Sequence, residues 1–159
     1  MLDSTDRKIL ALLQQNARMP NAEIARQVEM APSAVLERVR KLEDRGVLSG
    51  YSARIEPRAL GLGLTAFVLV RAEEWPGASQ TAETLASLPE VLEVHHVAGE
   101  DCLLVKVRAR DTEALGRLLR ERLGSIPTVR STKTTIVLET VKETQELPLD
   151  AAEGERGDE

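Results

Sequence analysis

The last two-thirds of the chain alternates apolar runs with amphipathic ones in an order that few folds accommodate. LTAFVLVRA (64–72) is dense in branched apolar residues and reads as a buried strand. ASQTAETLASLPEV (78–91) contains a helix that must end before Pro89. EVHHVA (93–98) and CLLVKVRA (102–109) read as strands joined by the tight Gly99-Glu100-Asp101 connection. Asp111 caps TEALGRLLRERLGSI, whose Leu115, Leu118, Leu119 and Leu123 recur at helical steps. STKTTIVLETV (131–141) reads as the last strand. The order β-α-β-β-α-β is the split-βαβ, ferredoxin-like arrangement. Two helices cover one face of such a sheet, and the other must be polar or meet a partner. Phe67, Leu69, Ile136 and Leu138 on one side, with Val68, Val70 and Val137 on the other, place apolar groups on both faces. Pairing of two sheets in a dimer would account for that.

The first third is punctuated differently. Asp3 is placed to cap a helix over LDSTDRKILALLQQNAR, which Met19-Pro20 ends. Asn21 is expected to cap a short helix, AEIARQV. A break at Glu29-Met30-Ala31 comes next, and Pro32 opens a third helix that stops at Gly46. Two short helices across a tight turn, with a supporting helix before them, make a helix-turn-helix unit. The expected domains are therefore 1–50, helix-turn-helix; 51–63, a linker strand; 64–149, the ferredoxin-like domain; and 150–159, a disordered acidic tail.

Charge is the main objection to a nucleic-acid role, since the net charge is −5. Its distribution removes the objection. Residues 1–54 carry +2, residues 55–142 carry −1, and residues 143–159 carry −6. Duplex binding needs a local basic face, not a basic whole. On the third helix Val35, Val39 and Leu42 fall within about 60° of arc and face inward. Ser33, Ala34, Glu37 and Lys41 lie opposite, flanked by Arg38 and Arg40. Small leading residues permit close approach to a major groove, and the charged ones can reach bases or phosphates. The same stripe also suits any solvated helix. With only Tyr51, Phe67 and Trp75 as aromatics, a base-stacking RNA or single-strand platform is not expected.

No apolar run is long enough to span a membrane, and no signal peptide is read at the N-terminus, so a cytoplasmic protein without membrane attachment is expected. The single cysteine, Cys102, agrees with a reducing compartment and reads as a small buried hydrophobe. Adjacent strand residues point to opposite faces, so His95 and His96 cannot share an ion, and no metal or cofactor is expected. No nucleophile and base fall into a recognisable motif.

The chain resembles the leucine-responsive regulatory protein/AsnC family, the feast/famine regulators. The resemblance is carried by LDSTDRKIL, LLQQNAR, EIARQV and APSAVLERVRKLEDRGVLSGY, and by the P-x-x-LG of 57–61. AFVLV, VAGEDCLLVKV and TKTTIVLETVK…LPL carry it through the second domain. It implies a winged or simple helix-turn-helix and a ligand-binding ferredoxin-like domain. It also implies dimers joined into tetramers or octamers on double-stranded DNA, and control by an amino acid bound between dimers. Members often have Ser where Ala31 stands, and often spell the effector turn G-x-x-D plus an aromatic. Here the turn is one residue shorter and continues into Cys102. The effector residues so implied are Ala98, Gly99, Glu100, Asp101, Thr132 and Thr134. An acidic side chain would meet an α-ammonium group and threonine hydroxyls a carboxylate. The same turn and threonines are also ordinary hairpin and strand chemistry. Two rival readings remain: an enzyme like the sirohaem decarboxylases, recruiting His95 or His96, and an architectural chromatin protein without an effector.

Overall fold

The computed structural model describes residues 2–75, 78–99 and 102–149; the tail 150–159, expected to be disordered, lies outside them. Two compact units form, one from residues up to Arg54 together with those from Glu143 onward, the other from Ile55–Lys142.

The first unit is three helices on one core. α1 spans Ser4–Gln15. The Asp3 carboxylate accepts from the Asp6 N–H at 2.7 Å, and Asp6 reaches back to the Asp3 N–H, closing a capping box. α2 spans Asn21–Gln27 and α3 spans Pro32–Asp44. Asn21 is not the cap of α2 as expected. Pro20 holds that position with extended backbone, and Asn21 is already helical. Ile9, Ile24 and Val35 are wholly buried where the three helices meet. Between α2 and α3 the chain reverses at Glu29, which adopts φ of 56°. Gly46, at φ of 66°, ends α3 while Val47 and Leu48 donate to the Leu42 carbonyl. No wing strand succeeds it among the described residues: 51–56 carry no element where a linker strand was expected, and Pro57–Leu60 form a 3₁₀ turn.

The second unit is a four-stranded antiparallel sheet with helices on one face. β1 spans Leu64–Ala72, α4 Gln80–Ala86, β2 Val91–His96, β3 Leu103–Ala109, α5 Thr112–Arg117 and β4 Val129–Ile136. The strand order is β2-β3-β1-β4, as the split-βαβ reading requires. α5 runs on into a π-helical stretch, Leu118–Leu123. Ala66, Val68 and Val70 of β1 and Leu103, Val105 and Val107 of β3 point under the helices and are essentially inaccessible. The alternation of the chain is the alternation of the sheet.

Register corrects one expectation. Ile136 pairs with Ala66, which puts it on the helix side with Val68 and Val70. Val137, whose N–H donates to the Thr65 carbonyl, falls on the open side with Phe67 and Leu69. Antiparallel pairing sets which parity of β4 matches which parity of β1, and alternation alone does not contain that. The strand also stops at Ile136 rather than continuing to Val141. Among the described residues no helix is long and apolar enough to cross a membrane.

Candidate nucleic-acid interface and effector turn

α3 is held in the first unit by Val35, Val39 and Leu42, all buried, so its opposite side is committed to solvent. Ser33, Glu37, Arg40 and Lys41 are exposed and Ala34 is half-buried. Lys41 donates to Glu37 across one turn at 2.6 Å, and this hydrogen bond and charge keep the Glu37 carboxyl below its usual pKa. Ala34, Glu37, Lys41 and Arg45 together line a depression of about 270 Å³ on this side. Arg40 lies on the other flank of the stripe, as its place in the helical repeat requires.

Arg38, expected to reach bases or phosphates, donates within the unit to Asp3 Oδ2 and Asp6 Oδ1, both at 2.7 Å. Its side chain is 31% exposed and that of Asp6 only 11%. The guanidinium therefore bridges α3 to the capped start of α1. The Asp3 carboxyl is held below its usual pKa, chiefly by the Asp6 N–H that it caps and then by Arg38. The pairing spans 35 positions of sequence, so no local pattern announced it.

A second feature absent from the sequence reading also involves α1. The Gln14 side chain donates to the Leu147 carbonyl at 3.1 Å and accepts from the Leu147 N–H at 2.8 Å. Arg7 donates to the Leu149 carbonyl at 3.3 Å, and the Leu149 side chain packs onto the helical core. The expectation of one domain over 64–149 thus loses its last residues to the first unit. Arg7 and Gln14 are two helical turns apart and share a face, the one signal that this side of α1 was meant for something.

In the second unit, the Val97 N–H donates to the Cys102 carbonyl at 3.0 Å and closes the β2–β3 hairpin around the expected effector turn. Ala98 and Gly99 are exposed, and Gly99 takes φ of 132°, a conformation that side chains with a Cβ rarely adopt. Glu100 and Asp101 lie outside the described residues. Thr132 pairs with Val70 and Thr134 with Val68, so the two threonines share the helix-side face of the edge strand. Val70 also pairs with Leu103, the first residue of β3. The base of the turn and Thr132 therefore occupy one transverse row of the sheet, two strands or about 10 Å apart. Cys102 is half-buried, not fully buried as expected. Its thiol takes the Ala72 N–H at 3.4 Å and points to the Val70 carbonyl at 3.6 Å. His95 and His96 pair with Leu104 and Leu103, which puts them on opposite faces.

Residues 2–43 match the AsnC-type helix-turn-helix domain and residues 65–147 the Lrp/AsnC ligand binding domain. The chain is 41% identical to the HTH-type transcriptional regulator FL11 of Pyrococcus horikoshii, over 93% of this chain and 97% of that one. It is 38% identical to the leucine-responsive regulatory protein of Klebsiella pneumoniae, over 92% and 90%. Among solved structures it is similar to a transcriptional regulator of Neisseria meningitidis in complex with L-methionine. That likeness has a TM-score of 0.86 at 34% identity and covers 94% of this chain and 98% of the other. A feast or famine regulatory protein of Mycobacterium tuberculosis, complexed with L-methionine, is similar at a TM-score of 0.85 and 36% identity, covering 92% and 99%. Relatives across this range are transcriptional regulators rather than enzymes, which sets the sirohaem alternative aside. With both halves matched and the relatives aligned over nearly their whole length, the chain belongs to the Lrp/AsnC family of helix-turn-helix transcriptional regulators.

Proposed function

We propose that this regulator is a cytoplasmic, sequence-specific reader of duplex DNA whose binding or assembly is tuned by a small amino acid. The observation that carries the effector half is the L-methionine held by two relatives similar over more than nine-tenths of this chain. The DNA half rests on α3. Ser33, Ala34, Glu37 and Lys41 form its outward stripe and are assigned to the major groove, with Arg40 on the flanking phosphates. Arg38 serves by fixing α3 against α1. The effector is assigned to Ala98, Gly99, Glu100 and Asp101 with Thr132 and Thr134. An α-ammonium group calls for a carboxylate, and an α-carboxylate calls for neutral donors. The turn carries both acids in sequence, and the threonines bring hydroxyls to the same end of the sheet.

The open sheet face supports assembly as a dimer. Phe67, Leu69 and Leu104 lie on it, Leu69 directly opposite Leu104. Lys106 and Glu93 pair there at 3.0 Å with the lysine side chain only 12% exposed. An apolar patch beside an ion pair whose lysine is nearly buried fits a second copy.

Thermal shift over the amino acids tests the effector, because a ligand for the folded state raises its melting temperature. One or a few amino acids, L-methionine among them, are expected to raise it, and Asp101→Ala is expected to abolish the rise. A rise that survives in Asp101→Ala removes that side chain from the site. No rise with any amino acid favours the effector-independent, architectural reading.

A further inference from the structure

The surface of α1 that binds residues 147–149 belongs to the unit that must approach DNA, and Leu149 is succeeded in the chain by DAAEGERGDE. Residues 1–54 carry a net +2, whereas residues 143–159 carry −6. The returning segment therefore reverses the sign of the DNA-binding unit. The match to the ligand-binding domain stops at residue 147, so these last acids lie beyond what defines the family.

The anchor is specific. Gln14 uses both its amide oxygen and its amide nitrogen on the backbone of Leu147, as a neighbouring strand would. Arg7 holds the next carbonyl but one, and the half-buried Leu149 packs its side chain against the apolar core. Arg54 and Glu146 add an exposed ion pair at 3.7 Å. Ten residues span at most about 33 Å. A unit of this size has a diameter of about 27 Å, so its basic side lies within that reach.

We propose that residues 146–149 are a strap that tethers the succeeding acids to the DNA-binding unit, where they compete with duplex phosphates for its cations. This rests on the DNA-binding role assigned above to α3. Carboxylates and phosphates offer arginine and lysine the same paired oxygens. The cations concerned are Arg40, Lys41 and Arg45. Lys41 already accepts a carboxylate partner, Glu37. A tethered competitor acts at an effective concentration near millimolar and needs little affinity of its own. The brake is electrostatic and must fade as salt screens it.

Fluorescence anisotropy of the full chain on a labelled random-sequence duplex tests this against three variants. One stops after Leu149. One replaces Asp150, Glu153, Glu155, Asp158 and Glu159 by Asn or Gln. One carries Leu147→Ser with Leu149→Ser. At about 50 mM salt the first two are expected to bind about fivefold tighter than the full chain, with the gap closing by about 300 mM. The strap variant is expected in between, since its tail stays charged but loses its local concentration. Unchanged melting temperature in the neutral-tail variant keeps a folding defect out of the comparison. Equal affinity of the full chain and the neutral-tail variant at low salt overturns the proposal. So does a gain undiminished at high salt, or a strap variant that matches the full chain while truncation tightens binding. Failure of every version to bind duplex at any salt would remove the DNA reading itself.

Discussion

Arg38 has a structural task that its charge and its place on α3 did not announce. Its guanidinium is the cation that two carboxylates of α1 require, one of them largely buried. Truncating it removes the guanidinium that meets the largely buried Asp6 side chain, so Arg38→Met is expected to lower stability by about 1 kcal/mol at pH 7. The pH dependence has a definite sign. The Asp3 carboxyl is depressed in the folded state, first by the Asp6 N–H and then by Arg38. A depressed carboxyl stabilises the fold above its unfolded pKa and loses that contribution as pH falls through the folded value. The difference in urea midpoint between wild type and Arg38→Met is therefore full at pH 7 and shrinks below about pH 4. An equal difference at both ends would assign the loss to the packing of the arginine stem. Glu37 and Lys41 pair within one helical turn, a spacing that sequence contains, whereas Arg38 and Asp3 lie far apart in the chain and no spacing announces them.

At the level of elements, local signals were enough for some and not for others. α1 declared itself through Asp3 and its apolar spacing, and β1 through an unbroken apolar run. Boundaries set by partners were not legible. Val137, Leu138 and Val141 look like strand residues, yet β4 ends at Ile136 because β1 begins at Leu64 and offers little beyond. The π-helical stretch after α5 likewise hides inside a regular leucine repeat. α3 carries a weakness that the sequence did reveal. Its N-cap, Ala31, has the extended backbone of a cap, φ −69° and ψ 143°, but no side-chain acceptor. The Ala34 N–H donates only to the Ala31 carbonyl. Ala31→Ser is expected to supply the missing acceptor and add about 0.5–1 kcal/mol, seen as a higher melting temperature. An unchanged or lower value would mean that the Ala31 carbonyl already satisfies the Ala34 N–H that the cap would meet.

Across the molecule, the fold class and the two-part organisation were legible because periodicity changes near residue 60. The sheet's open face was legible only as a conflict, apolar groups where a lone domain should be polar. If a second copy resolves that conflict, a charge at its centre should undo the assembly. Leu69 faces Leu104 on one neighbouring strand and Lys133 on the other. Leu69→Glu in the full chain is expected to give a monomer by light scattering at about 10 μM, at which wild type is a dimer or larger. An unaltered mass would move the interface elsewhere. A smaller wild-type mass would leave the apolar face unexplained by self-association.

Vectorial synthesis gives the return of residues 147–149 to α1 one more meaning. The helices of the first unit emerge from the ribosome before the sheet domain, but the contacts of Arg7 and Gln14 with residues 147–149 wait until that whole domain has been made. Leu149 thus makes completion of the DNA-binding unit an event that waits on synthesis of the sheet domain, although the three helices precede that domain in the chain.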